Sequence, residues 1–226
     1  MASFDASVGP SAARNRAPDS PFVNRSNWRL VGSILSRAAL IALFIVFARS
    51  NFSHWRSTGQ PSGLGATLLE GWVALLFLVR RMPDEISVRP IAWLAAPIGS
   101  FAMLFARPTD GGLPHIPCEI LQLVGVVIAL VSLGTLGRSF GLVAANRGVK
   151  TFGPYKFVRH PAYLGYLLGY LGYVAENPSP INIALLCLST AFQLVRISEE
   201  EKLLSSDSDY QSYRASVCYR LIPRLY

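Results

Sequence analysis

The sequence predicts an all-α fold, a polytopic membrane helical bundle of about five to six transmembrane helices with a cytosolic C-terminal amphipathic helix. Three observations carry that expectation. Of the 226 residues 51% are hydrophobic and only 15% charged, and the mean hydropathy of +0.36 is too high for an ordinary soluble domain of this size. Apolar windows recur at close to the roughly 20 residues that a helix needs to cross about 30 Å of hydrocarbon. Lys and Arg are distributed unevenly between the segments that separate those windows.

Residues 1–27 are rich in Ala, Ser, Asn, Pro and Arg without periodicity, carry no apolar signal-peptide core, and are expected to form a disordered arm. Residues 28–115 are expected to hold the N-terminal transmembrane helices, with windows at 30–48, 64–79 and 91–106. Residues 116–226 hold the remaining windows, at 116–136, 163–175 and 181–197. The fifth window is short and the second carries Glu70, so either can tilt, re-enter or pack inside the bundle. Arg37, Glu70 and Glu119 form a buried polar set or merely lie near helix ends, with Glu119 expected at an interface.

Seventeen of the Lys and Arg residues fall in the N-terminal arm, the even loops and the C-terminal tail, three fall in the odd loops, and Arg37 lies within the first window. Both termini are therefore expected to be cytoplasmic, in the inner membrane if the host is bacterial. Anionic lipid head groups and topology account for the net charge of +8, because the positive residues form no basic face interleaved with aromatics; no nucleic-acid partner is expected. Cys118, Cys187 and Cys218 are widely spaced and do not cluster with His54, His115 or His160, so neither a structural zinc nor a disulfide framework is expected. No glycine-rich dinucleotide loop follows a strand-like run.

The chemistry concentrates in residues 153–165, where Gly153-Pro154-Tyr155-Lys156 precedes Arg159-His160-Pro161-Ala162-Tyr163. Pro161 suits the first turn of a helix, so the fifth helix should begin at the Arg-His-Pro step. Two basic side chains then stand beside a helix N-terminus, a place that attracts a carboxylate or phosphate. The plainer alternative is that Arg159 and His160 simply flank a membrane helix. Tyr163, Tyr166, Tyr170 and Tyr173 follow at i, i+3, i+7 and i+10, with Gly165, Gly169 and Gly172 on another face. The glycines permit a close helix approach. For Tyr166, Tyr170 and Tyr173, core packing and interfacial anchoring are favoured over lining a channel.

A second cluster is Arg196-Ile197-Ser198-Glu199-Glu200-Glu201. Acidic residues near a helix C-terminus oppose the dipole unless the helix runs on into the cytosol. Arg196 and Glu200 share a face. The carboxylate suits a cationic amino group or ribose hydroxyls and the arginine an anionic head; the alternative is a solvated ion pair of about 0.3–0.5 kcal/mol. Beyond it, Tyr210, Tyr213, Val217 and Leu221 recur at helical spacing with Asp209, Arg214 and Arg220 between, as expected of an amphipathic cap stopped by Pro223.

Residues 147–165, then Arg196-x-x-x-Glu200-Glu201-x-x-Leu204, Tyr210-x-x-Tyr213 and Tyr219-Arg220-Leu221-Ile222-Pro223, together resemble the isoprenylcysteine carboxyl methyltransferase family and its phospholipid methyltransferase relatives. The likeness covers roughly residues 120–224 and makes 116–226 the expected catalytic membrane domain. It implies an integral membrane enzyme using S-adenosylmethionine, held on the cytosolic side between the last helices and the C-terminal segment. Carried over by position, the cofactor contacts are Arg147, Gly148, Val149, Lys150, Tyr155, His160, Pro161, Ala162, Tyr163 and Glu200, with Arg196 at the substrate; Arg196, Glu200 and His160 are the residues expected at the reaction itself. Relatives often carry histidine where this chain has Arg147. The implied acceptor is a lipid or lipid-modified small molecule, such as a prenylated cysteine, a phospholipid amine or an isoprenoid-like lipid, with small thiols also open.

Methyl transfer from a sulfonium asks mainly for alignment and exclusion of water. A carboxylate or thiolate acceptor needs no general base, whereas an amine would call on Glu200 or Glu201. Two rivals are a nicotinamide-dependent membrane reductase, since sterol reductases have a similar C-terminal architecture on longer chains, and a non-catalytic membrane scaffold.

Overall fold

The structure, a computed structural model, describes residues 27–81, 85–109 and 115–226, the side chains of 27–33 and 85 excepted. The expected disordered arm lies outside the described residues, save Asn27, which belongs instead to the first helix. The chain divides into two units, Met1–Leu35 and Ser36–Tyr226; of the first, the described part is the opening of that helix, and the packing below is that of the second.

Seven α-helices are described: α1 (Asn27–Thr58), α2 (Pro61–Val79), α3 (Pro90–Phe101), α4 (Ile116–Leu136), α5 (Pro161–Glu176), α6 (Pro180–Leu204) and α7 (Ser208–Ser216). A proline stands at the first or second position of each helix from α2 to α6, where its missing N–H is one of the donors left over anyway. α1 runs ten residues past its expected end, through the polar stretch after Ala48, and stops where Gly59 takes a φ of +73° and donates its N–H to Trp55 O at 2.8 Å. α6 likewise continues past Ile197 to Leu204, which resolves the clash between three glutamates and the helix dipole by carrying them into the helix interior.

Among the described residues, four segments are long and apolar enough to cross a membrane: Ile34–Thr58, Pro61–Val79, Ile116–Ser139 and Pro180–Leu204. α5 is apolar but shorter, and so is α3, which contains Pro97 and tightens into a 3₁₀ turn at Ala102–Phe105. Leu78, Leu94, Val127, Val131 and Ile183 are exposed on these helices, as a bundle solvated by lipid requires. The protein is a membrane-spanning α-helical bundle.

α4 and α5 pack backbone to backbone. A Cβ on Gly125 would overlap the backbone nitrogen of Gly169, and one on Gly165 would stand 2.6 Å from Ala129 N. The glycine face read from the sequence is therefore an interface, in the small-residue manner of membrane helices. Where α3 tightens, the Gly99 carbonyl is taken up by Ser189 Oγ at 3.0 Å and Gln193 Nε2 at 3.3 Å of α6. Glu119, at the start of α4, accepts from Ser62 N at 3.0 Å and so ties α4 to the first turn of α2.

At the C-terminal end of α6, β1 (Glu85–Ile86) pairs antiparallel with β2 (Ala145–Asn146), which ties the α2–α3 loop to the α4–α5 loop. α7 is capped by Asp207, whose carboxylate accepts from the N–H groups of Asp209 and Tyr210. It ends at Ser216, not at Pro223 as expected. Val217 turns extended (φ −118°, ψ 95°), and the carbonyls of residues 217–220 are all engaged by Arg159 and His160. Val217 and Leu221 are still buried, but from an extended strap rather than a helix face.

Candidate active site

A cavity of about 580 Å³ follows α5 from the C-terminal end of α6 toward the α1–α2 junction, a size typical of small-molecule sites. Its first half is polar. Arg147, Gly148, Val149 and Lys150 of the α4–α5 loop line it, facing Tyr155, His160, Ala162 and Tyr163 at the start of α5 and Arg196 and Glu200 on α6. Pro161 does not line the cavity; it is fully buried and fixes where α5 begins. Every other site residue expected from the sequence borders this one space.

The junction of the two halves is built on Glu200. The Tyr163 hydroxyl donates to Glu200 Oε1, His160 Nδ1 lies 3.8 Å from Oε2, and Arg196 Nη2 lies 3.9 Å from Oε1. Arg196 is not the solvated partner considered above. It is buried, its guanidinium lies 5.0 Å over the Tyr163 ring, and it donates to Ser100 Oγ at 2.7 Å and Leu142 O at 2.9 Å. Four elements thus fix one cation beside one carboxylate.

Arg159 borders the same cavity but does more than flank a helix, because its guanidinium is engaged within the protein. Its guanidinium bonds Glu201 Oε1 at 2.9 Å and the carbonyls of Val217 and Cys218 at 2.8 Å, while the N–H groups of Arg159 and His160 donate to Tyr219 O and Arg220 O. Glu201 also takes His160 Nε2 at 3.2 Å and Arg220 Nη2 at 2.9 Å. This clasp draws the C-terminal strap over the start of α5. The N–H groups of Ala162 and Tyr163 at the helix N-terminus have no intrahelical acceptor, and among the described residues no side chain caps that end.

The loop side is held by one long-range and one local bond. Asn146 Nδ2 donates to Asp207 Oδ2 at 2.9 Å, Asn146 Oδ1 accepts from Gly148 N at 3.0 Å, and Gly148 adopts a φ of +89°. Arg147 lies against Gly141 so closely that any Cβ there would overlap the guanidinium. Burial and the nearby Arg80 charge press Arg147 down to about 10, with Glu200 acting in the opposite sense, so it stays protonated at neutral pH. Among the described residues its buried Nε meets no hydrogen-bond acceptor, and the same holds for Arg196 Nε. Tyr213, raised to about 12 mainly by burial, donates to Tyr155 O at 2.7 Å and packs α7 against the loop.

Residues 114–207 match the family model of phospholipid methyltransferases. A methanethiol S-methyltransferase from Bradyrhizobium diazoefficiens is 28% identical over 207 residues, 86% of this chain and 74% of its own length. A protein-S-isoprenylcysteine O-methyltransferase from Arabidopsis thaliana is 32% identical over 106 residues, 43% of this chain and 54% of its own length. This chain is a membrane methyltransferase, similar to that family over residues 114–207.

The second half of the methyltransferase's cavity departs from the sequence expectation. Tyr166, Tyr170 and Tyr173, expected as core and anchors, line it, with the Tyr166 and Tyr170 rings stacked at 6.4 Å. Their helical stripe was the signal; which of two packed faces opens onto a cavity depends on the glycine contacts of α4, and these take the other face. Leu204, Tyr210 and Tyr213 of the C-terminal motifs complete the surroundings of the polar half together with Ser100 and Leu142, which had no sequence signature.

Proposed function

We propose that this methyltransferase uses S-adenosylmethionine to methylate a thiol or carboxyl group on an amphiphilic acceptor, at the cytosolic face, with both termini cytoplasmic. The observation that carries the proposal is the buried Arg196 held beside Tyr163 and Glu200 where the polar half of the cavity meets its tyrosine-lined half.

The polar half fits the cofactor. Its orphaned Arg147 Nε and the uncapped N-terminus of α5 are donors suited to a carboxylate, and Glu200 is an acceptor suited to an amino group or ribose hydroxyls. Arg147, Gly148, Val149, Lys150, Tyr155, His160, Ala162, Tyr163 and Glu200 would hold it. When bound, S-adenosylmethionine supplies the methyl group at a sulfonium sulfur.

The chain's own contribution is positional. Arg196 is a fixed positive charge facing the acceptor side, so it favours an acceptor in its anionic form and disfavours an ammonium. A thiolate or carboxylate needs no base, which leaves Glu200 free to act as a ligand. The strap and α7 close the polar end against water, which strengthens these interactions. The two named relatives act on a thiol and on a prenylated cysteine, and both acceptors ionise to anions. A phospholipid amine, suggested by the family's description, would have to bring its positive charge up to Arg196.

The test is transfer from methyl-tritiated S-adenosylmethionine by the protein in lipid nanodiscs, offered alkyl thiols, S-alkylated cysteines and phosphatidylethanolamine. Label in the thiol or carboxyl products, reduced by Arg196→Gln, is the expected result. Label in the amine alone would overturn the acceptor assignment.

A further inference from the structure

The far half of the cavity has a polar floor that methyl transfer does not use. Glu70 lies midway along α2, nine residues from Pro61, and lines the cavity. Asn51 of α1, another lining residue, donates to Glu70 Oε2 at 2.9 Å. Tyr170 of α5 lines the same cavity. Glu176, at the end of α5, is already taken: Gln122 Nε2 donates to it at 2.7 Å and Gln60 Nε2 at 3.4 Å, with His54 behind Gln60 at 3.1 Å. Glu70 is therefore the carboxylate that faces the space with one amide for company.

A pocket for plain hydrocarbon has no use for this arrangement. A carboxylate within a membrane bundle is expensive and marks a substrate or ion path by default. An alkyl tail ending against Glu70 would strip its water and return no hydrogen bond.

Building on the methyltransferase reading, we infer that Glu70, Asn51 and Tyr170 form a distal subsite for a hydrogen-bond donor, a hydroxyl or an amine, at the far end of an elongated acceptor. α5 supplies the ruler. Seven residues separate Tyr163 from Tyr170, so the donor group stands about 10 Å from the reacting end. The acceptor class is then an amphiphile that is polar at both ends, with the tyrosine rings stacking along its apolar middle.

The experiment is equilibrium titration of the full chain in nanodiscs, with S-adenosylhomocysteine present, using octanethiol and its ω-hydroxy and ω-amino forms. Wild type is expected to bind the ω-substituted thiols about tenfold tighter than octanethiol, the size of a hydrogen bond to a charged group. Glu70→Leu should abolish the preference, and Glu70→Gln should keep it for the hydroxyl and lose it for the amine, both with unchanged nucleoside affinity. Equal or tighter binding of plain octanethiol by wild type, or a preference that survives Glu70→Leu, would overturn the inference and leave Glu70 as a packing residue. The titrations are repeated without the nucleoside. Failure of the homocysteine nucleoside to bind wild type would therefore count against the cofactor assignment alone, with the distal subsite still read from the thiol series.

Discussion

The Arg159 guanidinium and the Glu201 carboxylate meet at 2.9 Å with each side chain only 5% exposed, and they join the start of α5 to the end of α6 and to the C-terminal strap. Removing one partner of such a pair leaves the other buried and unpaired. Glu201→Ala is expected to destabilise the protein by about 3–5 kcal/mol, more than Glu201→Gln, which keeps an acceptor. Thermal unfolding in detergent followed by circular dichroism measures both.

Tyr163 orients Glu200 through its hydroxyl while its ring supports Arg196 at 5.0 Å. Tyr163→Phe keeps the ring and loses the hydroxyl. We expect the folded state to persist and affinity for S-adenosylhomocysteine to fall about tenfold, measured by calorimetric titration. An unchanged affinity would mean that Glu200 needs no such support.

The α4–α5 interface separates two glycines that look alike in the sequence. A Cβ at Gly125 overlaps backbone of Gly169, which cannot swing aside, whereas a Cβ at Gly169 finds only Gln122 O at 3.9 Å. Gly125→Ala should lower the unfolding temperature and activity together. Gly169→Ala should be neutral or stabilising by up to about 1 kcal/mol from helix propensity.

Arg147 supplies a pH dependence. Its folded value is lowered to about 10, so it is charged below that pH and loses its charge as pH rises through it. If it holds the carboxylate of the nucleoside, wild-type affinity should fall between about pH 9 and 11 more steeply than that of Arg147→Gln, which starts weaker and lacks this titration. Parallel curves for the two proteins would remove Arg147 from the site.

The bundle was legible because membrane helices declare themselves by length and hydropathy: α4 matches its expected bounds at both ends, and Pro161 marked the start of α5 correctly. The grouping of Arg147, Tyr155, Tyr163, Arg196 and Glu200 was legible through the family resemblance that the composite of spaced motifs carries. What was not legible depended on long-range partners. Arg159 reads as an anion ligand or a plain helix flank until the carbonyls of Val217 and Cys218, 58 and 59 residues away, occupy it. Arg196 and Glu200 read as ligand groups or as a solvated pair, and the second reading falls only when Ser100 and Leu142 enclose the arginine. The tyrosine stripe read as core because periodicity gives a face but not what that face meets.

The central claim is that the polar half of the cavity binds the methyl donor through Glu200. Its most direct test is calorimetric titration of the purified full chain and its Glu200→Ala variant with S-adenosylhomocysteine, beside NADPH. Saturable binding of the homocysteine nucleoside by wild type, lost in the variant while the fold is kept, and no binding of NADPH, is the predicted result. Equal binding by the variant, or binding of NADPH alone, would contradict it.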